Sequence, residues 1–247
     1  MKIAVLSDIH GNMDALAAVM DDVKAEGCEK IFILGDYAMA GPEPEKIIDG
    51  FISMKDSENM TLIQGNTDLM LAEYSEDLYT QLKSKAPVMA EALKYDAALL
   101  DEKRTKFLKL LPAQYELDIE GVKILLVHGS PRRNNEDILP DTPMEEVEKM
   151  LEGVSANLVL CGHTHIPCGF QLKNKQTVVN VGSVGRPFTE KPDACYLKLT
   201  VENGKCLFEH KFIKYNNGQA ASKLAKQSFE GSDKLAEMLL NPTVRHF

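Results

Sequence analysis

Apolar and polar positions in the N-terminal part of the chain alternate in blocks. Residues 2–6, 31–34 and 60–64 are short apolar runs that read as buried strands. Between them, Leu16, Val19, Met20 and Val23 recur at helical spacing within residues 13–26, and Gly27 ends the run. Pro44 suits the first turn of a second helix reaching about Met54. Strands alternating with helices predict βαβ units and a sheet that starts out parallel.

From about residue 69 to 111 the rhythm changes. This stretch is rich in Leu, Ala, Lys and Glu, contains Pro87 and has no strand-like run, so it reads as two or three helices inserted between sheet strands. It could cover a cleft at the strand ends or be a plain structural excursion. Beyond Gln114 the pattern turns to β. Residues 115–119 and 122–127 flank a Glu120-Gly121 turn, 168–172 and 177–181 flank Asn174-Lys175, and 195–201 and 205–213 flank Asn203-Gly204. A helix is expected after Thr142 as N-cap, with Pro143 at the first helical position and Glu145 three residues after the cap. An apolar run at 157–160 forms one more strand, and 219–240 reads as a polar helical tail. With no internal repeat and no low-complexity linker, a single domain over residues 1–247 with a helical insertion is the simplest organisation.

Composition narrows the class. The 247 residues are 44% hydrophobic and 26% charged, as in ordinary globular proteins. The apolar N-terminal run is too short for a signal peptide, and no stretch is long enough to cross a bilayer. Five scattered cysteines without a Cys-x-x-Cys pair argue against a disulfide framework or thiolate zinc site, and for a reducing cytoplasm. A net charge of −9 with no long Lys/Arg run disfavours a long nucleic acid partner. A small phosphorylated substrate stays open, because a local cation can override the global field.

The chemistry gathers where strands stop. After the strand ending at Gly162, His163 and His165 sit at i and i+2, on one side of an extended segment. Asp8 and His10, Asp36, Asn66, and His128 occupy the other strand-end loops. In an open α/β sheet such ends converge on one edge, where ligands bind. Each residue also has a structural explanation: Asp8 and Asp36 could cap helices, Asn66 could support a turn, and His128 could be a satisfied strand-end histidine. Yet four of the six histidines fall in these loops, leaving His210 and His246 as ordinary residues.

Asp-x-His, Gly-Asp, Gly-Asn-x-Asp, His-Gly and Gly-His-x-His, in this order from Asp8 to His165, resemble the calcineurin-like metallophosphoesterase superfamily. The stretch 180–187 resembles a segment of its small bacterial phosphodiesterase branch. The resemblance implies a four-layer αββα sandwich, two mixed sheets flanked by helices, with a two-metal site on its strand-end edge. Asp8, His10 and His165 would hold one ion, Asn66, His128 and His163 the other, and Asp36 would bridge them. This donor set suits Mn first, then Fe, Zn or Ni. Asp36, Asn66 and His128 would act in catalysis through a metal-bridging hydroxide that attacks in line, so no side-chain nucleophile is needed.

One departure matters. Many members of the superfamily carry His where this chain has Thr67, as a proton donor to the leaving group. Threonine is too weak an acid for that, and neighbouring Asp68 is expected to cap the following helix. A preference for leaving groups that depart without strong protonation follows. Asn12 and Arg186 are the candidate substrate contacts, while Arg132 and Arg133 read rather as solvated surface charge. The activity expected is that of a phosphodiesterase on a small ester. Alternatives are a phosphomonoesterase, a dinucleoside-polyphosphate hydrolase, or an inactive scaffold of the same fold, like the retromer subunit that resembles this family. Retention of all seven ligand positions speaks against the scaffold.

Overall fold

The computed structural model describes residues 1–242. The N-terminal alternation is present as β1 (Lys2–Leu6), α1 (Met13–Ala25), β2 (Lys30–Ile33), α2 (Pro44–Met54) and β3 (Met60–Leu62), with the three strands parallel. The chain then leaves this sheet through α3 (Asn66–Ala72), α4 (Glu76–Lys85), α5 (Pro87–Leu99) and α6 (Glu102–Leu110). The insertion is therefore four helices rather than two or three, and it opens at Asn66 rather than at Leu69. Polar caps divide it: Ser75 accepts from the Leu78 amide and Asp101 from the Arg104 amide, while Pro87 opens α5.

A second sheet follows, built from β4 (Gln114–Ile119), β5 (Val122–Val127), β6 (Leu158–Cys161), β7 (Cys168–Gln171) and β8 (Thr177–Asn180), with α7 (Met144–Met150) between β5 and β6. The chain returns to the first sheet as β9 (Ala194–Glu202) and β10 (Lys205–Ile213), then ends in α8 (Asn217–Leu224) and α9 (Ser232–Leu240). The strand orders are β10-β9-β1-β2-β3 and β4-β5-β6-β8-β7. All three anticipated hairpins form, with Ile119 opposite Val122, Gln171 opposite Thr177 and Glu202 opposite Lys205.

The two-residue period of each strand decides the layering. Ile3 and Val5 of β1 join Ile124, Leu126, Leu158 and Leu160 in a core between the sheets. Their neighbours Ala4 and Leu6 face the other way, into a core shared with α1, α2, α5, α8 and α9. On the far side, Leu125, Val127 and Val159 pack under α7. The result is helix, sheet, sheet, helix: the four-layer αββα sandwich. No helix among the described residues is long and apolar enough to cross a membrane.

Two local expectations are corrected. Thr142 is not the N-cap of α7; its Oγ1 accepts from the Leu139 amide and closes the preceding turn. Pro143, with φ −56° and ψ 135°, takes the cap position, and that extended ψ delays the helix to Met144. The expected helical tail is two helices, broken where Gly231 takes φ 90°. His210 bonds the Asn180 carbonyl at 2.8 Å, an ordinary strand residue; His246 lies outside the described residues.

The insertion is fastened to the sandwich by a buried acid. Asp96 of α5 is fully buried, and its Oδ2 accepts from the Ala40 amide at 2.7 Å. Burial pushes its carboxyl up to about 8, against which the Ala40 hydrogen bond pulls only weakly. Between the ordinary carboxylate value and about 8, the folded chain holds a proton that the unfolded chain has lost, so this group lowers stability as pH rises through that window. The variant Asp96→Asn keeps an acceptor for Ala40 and removes the titration. From pH 5 to pH 8 the unfolding free energy read from urea titrations should therefore fall more in the native chain than in the variant, by a difference of the order of a few kcal/mol.

Candidate metal centre

Every candidate ligand sits just beyond a strand, and the loops that carry them are bonded to one another. After β1, the amides of Asp8, His10 and Gly11 donate to the carbonyls of Gly35, Asp36 and Tyr37 in the loop after β2. From the second sheet, the Gly162 amide donates to the His128 carbonyl. The 180–187 stretch braces both sides. Val184 and Gly185 amides bond the Ser7 and Asp8 carbonyls, while Asn180 Nδ2 bonds Gly162 O and Thr164 Oγ1. Gly185 is required here, since a Cβ would lie 1.7 Å from the Ile9 carbonyl oxygen.

These loops hold unusual backbone. Among the described residues nine non-glycine positions have positive φ, and five of them are Asp8, His10, Asp36, His163 and His165. Three others, Glu120, Lys175 and Asn203, are hairpin-turn residues, where that conformation is routine. Left-handed conformation at β-type strand ends costs of order 1–3 kcal/mol per residue, and it persists where surrounding structure over-determines it.

The side chains converge in two overlapping groups, Asp8 with His10 and His165, and Asp8 with Asp36 and His128, each with ligand atoms within 4.8 Å of one another. Asp36 reaches both: its Oδ2 is 3.8 Å from His10 Nε2 and its Oδ1 is 3.4 Å from His128 Nε2. Asn66, at the first turn of α3, places its Oδ1 3.0 Å from His128 Nε2. His163 belongs to neither group. Its Nε2 lies 3.3 Å from Asp137 Oδ1, and its ring meets that of His128 edge-on at 5.3 Å.

The ring orientations test whether cations fit. His10, His128 and His165 each turn Nδ1 to a backbone carbonyl, at Met39 (2.7 Å), Leu34 (2.7 Å) and Arg186 (2.6 Å). A carbonyl can only accept, so Nδ1 carries the proton and Nε2 faces the centre. His10 and His165 then aim two Nε2 atoms at each other across 3.1 Å. Burial, and then the neighbouring His165, hold His10 down to about 4, so its Nε2 is a bare lone pair at neutral pH. At 3.1 Å the two nitrogens stand at the spacing of two ligands of one ion, which with bonds of about 2.1 Å lie roughly 3.0–3.4 Å apart. Asp8 Oδ1 is buried without a hydrogen-bond partner, 3.2 Å from His165 Nε2. A buried carboxylate oxygen beside two converging imidazole nitrogens is a donor set that a divalent cation completes.

The charges are strongly coupled. Burial opposes ionisation of Asp8, yet His165 and His128 hold its carboxyl down to about 2. Asp36 is likewise ionised well below the usual carboxylate range despite burial, chiefly through His128. Burial disfavours the His128 imidazolium, but Asp36 and Asp8 outweigh it and push the ring up to about 10. A metal binding there must displace that proton, so uptake releases protons and strengthens with pH.

Other expectations change on inspection. Asn12 is fully buried, and both ends of its amide are engaged within the chain. Its Oδ1 caps α1 at the Ala15 amide, and its Nδ2 donates to Gly185 O and Tyr215 Oη. Asp68 does more than cap its own helix: its carboxylate accepts from the Gly65, Asp36 and Tyr37 amides, which holds the Asp36 loop in place. Thr67 is buried; its amide donates to Asp36 Oδ1, and its hydroxyl finds no partner. Arg132 and Arg133 both pair with Glu136. The Arg186 guanidinium contacts Met89 and Met238 sulfurs and lies 5.9 Å from the Phe188 ring, which stacks on His165 at 4.8 Å. Its charge is close enough to depress the His10 imidazole further.

The first 204 residues match the calcineurin-like phosphoesterase superfamily domain. The chain belongs to that superfamily. It is 30% identical over 229 residues to an uncharacterized protein of Methanocaldococcus jannaschii, covering 86% of this chain and 84% of that one. Its fold is similar to that of a hypothetical protein from Pyrococcus horikoshii (TM-score 0.84, 24% identity, 97% and 98% of the two chains). A metallophosphoesterase from Sphaerobacter thermophilus also shares the fold (TM-score 0.75, 21% identity, 97% and 98%). Membership and the donor groups together point to a dinuclear site for divalent metals.

Asp137 neighbours the site in a way that spacing did not reveal, because its loop carries several charges that could have faced solvent. Its Oδ1 lies 3.3 Å from His163 Nε2, next to the candidate ligands though not one of them. Removing this partner in Asp137→Ala should weaken one of the two Mn²⁺ binding steps by about 10–100-fold and leave the other unchanged, as read by calorimetric titration.

Proposed function

We propose that this chain is a phosphodiesterase acting on a small phosphate ester, with Mn²⁺ as the preferred ion and the cytoplasm as its compartment. The observation that carries the reading is Asp36: one carboxylate reaches into both donor groups, with an oxygen toward His10 and the other toward His128. Two divalent cations bound there would neutralise phosphoryl charge and acidify water.

The chain's own residues have distinct parts. Asp8, His10 and His165 would hold one ion; Asn66, His128 and His163 the other. Asp68 keeps the Asp36 carboxylate in register through three backbone amides. Arg186 is the proposed substrate contact, a cation close enough to the centre to depress the His10 imidazole. The side of the centre near His10 and His165 is closed, with side chains 4% and 8% exposed, whereas His163 is 19% exposed. A substrate therefore approaches from the Asn66 and His163 side. The acidic net charge of −9 favours a compact ester over a long polyanion.

Proton donation to the leaving group is the weak point of the site. Thr67 offers a buried hydroxyl and no imidazole. With Mn²⁺ added, bis(4-nitrophenyl) phosphate should be turned over faster than 4-nitrophenyl phosphate or a dinucleoside tetraphosphate. The opposite ranking would favour the monoesterase or polyphosphate reading, and metal-free protein without turnover under any ion would favour a scaffold. Across a series of aryl and alkyl diesters, the rate should fall steeply as leaving-group pKa rises. A flat dependence, with chemistry rate-limiting, would count against the Thr67 argument. Asp36→Asn and His128→Ala should each lower turnover by about a thousandfold or more while circular dichroism shows an intact fold.

A further inference from the structure

The edge strand β3, the end of α2 and the helix α6 enclose a groove of about 460 Å³ that contains none of the candidate ligands. That volume is in the range of small-molecule sites. Its floor is Ile52, Leu62, Phe107, Leu110 and Leu111, and Leu110 is 72% exposed. Its rim carries Lys55, Lys103 and Lys106, and no acidic side chain lines it. In a chain with 37 acidic residues against 28 basic ones, an apolar floor edged by cations alone is a local reversal of the overall field. Lys55 pairs with its neighbour Asp56. Among the described residues, Lys103 and Lys106 have no carboxylate within salt-bridge distance.

The groove's walls are also tied to the metal loops. Gln64 donates from its amide to Pro112 O and from Nε2 to Leu108 O, both at 2.8 Å. Gln64 leads through Gly65 directly into Asn66. Phe107, on the floor, meets the ring of Tyr37 edge-on at 6.3 Å, and Tyr37 follows Asp36. One wall therefore holds the segment that presents Asn66, and the floor touches the neighbour of the bridging carboxylate.

We propose that this groove is an effector site for an amphiphile with one apolar chain and an anionic head, the chain on the leucine floor and the head between Lys103 and Lys106. Charge complementarity selects an anion over a neutral or cationic ligand. The groove is pocket-sized rather than a broad face, which selects a small molecule over a second copy of the chain, whose interface would need to bury about 1,200 Å² or more.

The test is calorimetric titration of the full chain with laurate below its micelle concentration, with dodecyltrimethylammonium as the charge-reversed probe. Laurate should bind one to one, and the cationic probe should bind at least tenfold more weakly. The double variant Lys103→Glu/Lys106→Glu should lose at least tenfold in laurate affinity with an unchanged melting temperature. Leu110→Asp, at an exposed position, should do the same through the floor. Adding Mn²⁺ should shift the laurate affinity of the native chain, as reciprocity between linked sites requires. No laurate binding, equal binding of both probes, or laurate affinity untouched by the variants would overturn the proposal. A dimer in sedimentation that Leu110→Asp dissociates, without laurate binding, would assign the groove to a second copy instead. Laurate affinity identical with and without Mn²⁺ would overturn the effector role.

Discussion

Two imidazole nitrogens face each other across 3.1 Å beside a buried carboxylate oxygen, and all three converge on one point that a cation can fill. Backbone carbonyls on the far side of each ring force it, by fixing Nδ1 as the donor. Left-handed backbone at Asp8, His10 and His165 accompanies it. Each of these is a cost that the sandwich cores offset, and each is removed or repaid in kind when a cation takes the central position. The strand-end loops, the glycines that let them touch, and the 180–187 brace all serve this one convergence.

Much of the architecture was legible because it rests on periodicity. The three parallel strands, the helices between them and the hairpins at Glu120-Gly121 and Asn203-Gly204 follow from apolar spacing and turn residues, which act locally. Helix number in the insertion was not legible. Ser75, Pro87 and Asp101 are the breaks, and each is a residue that also occurs in helices or loops without ending anything. Thr142 shows the same limit. Its hydroxyl found a nearer amide, at Leu139, than the helix it was expected to cap.

At the centre, the residues at strand ends could be read, because a carboxylate or imidazole just past an apolar run has few structural duties. The residues that hold them could not. Asp68 supports Asp36 across a gap of 31 and 32 positions in the chain, and Asp137 reaches His163 from a loop full of equivalent charges. Such contacts depend on which loops the two sheets bring together, which spacing does not encode. Asn12 failed for the opposite reason. Its proximity to the Asp8 loop was real, but the helix start and Gly185 had already taken its amide.

The candidate ligands are divided between the two halves of the sandwich: Asp8, His10, Asp36 and Asn66 follow strands of one sheet, and His128, His163 and His165 follow strands of the other. Apolar packing joins the sheets face to face in the interior, and hydrogen bonds such as His128 Nδ1 to the Leu34 carbonyl link the loops at their edge. Ions seated at their common edge would therefore act as rivets through both plates. Without them the chain would lose that clamp, and the slackened form would be the one that proteases find first.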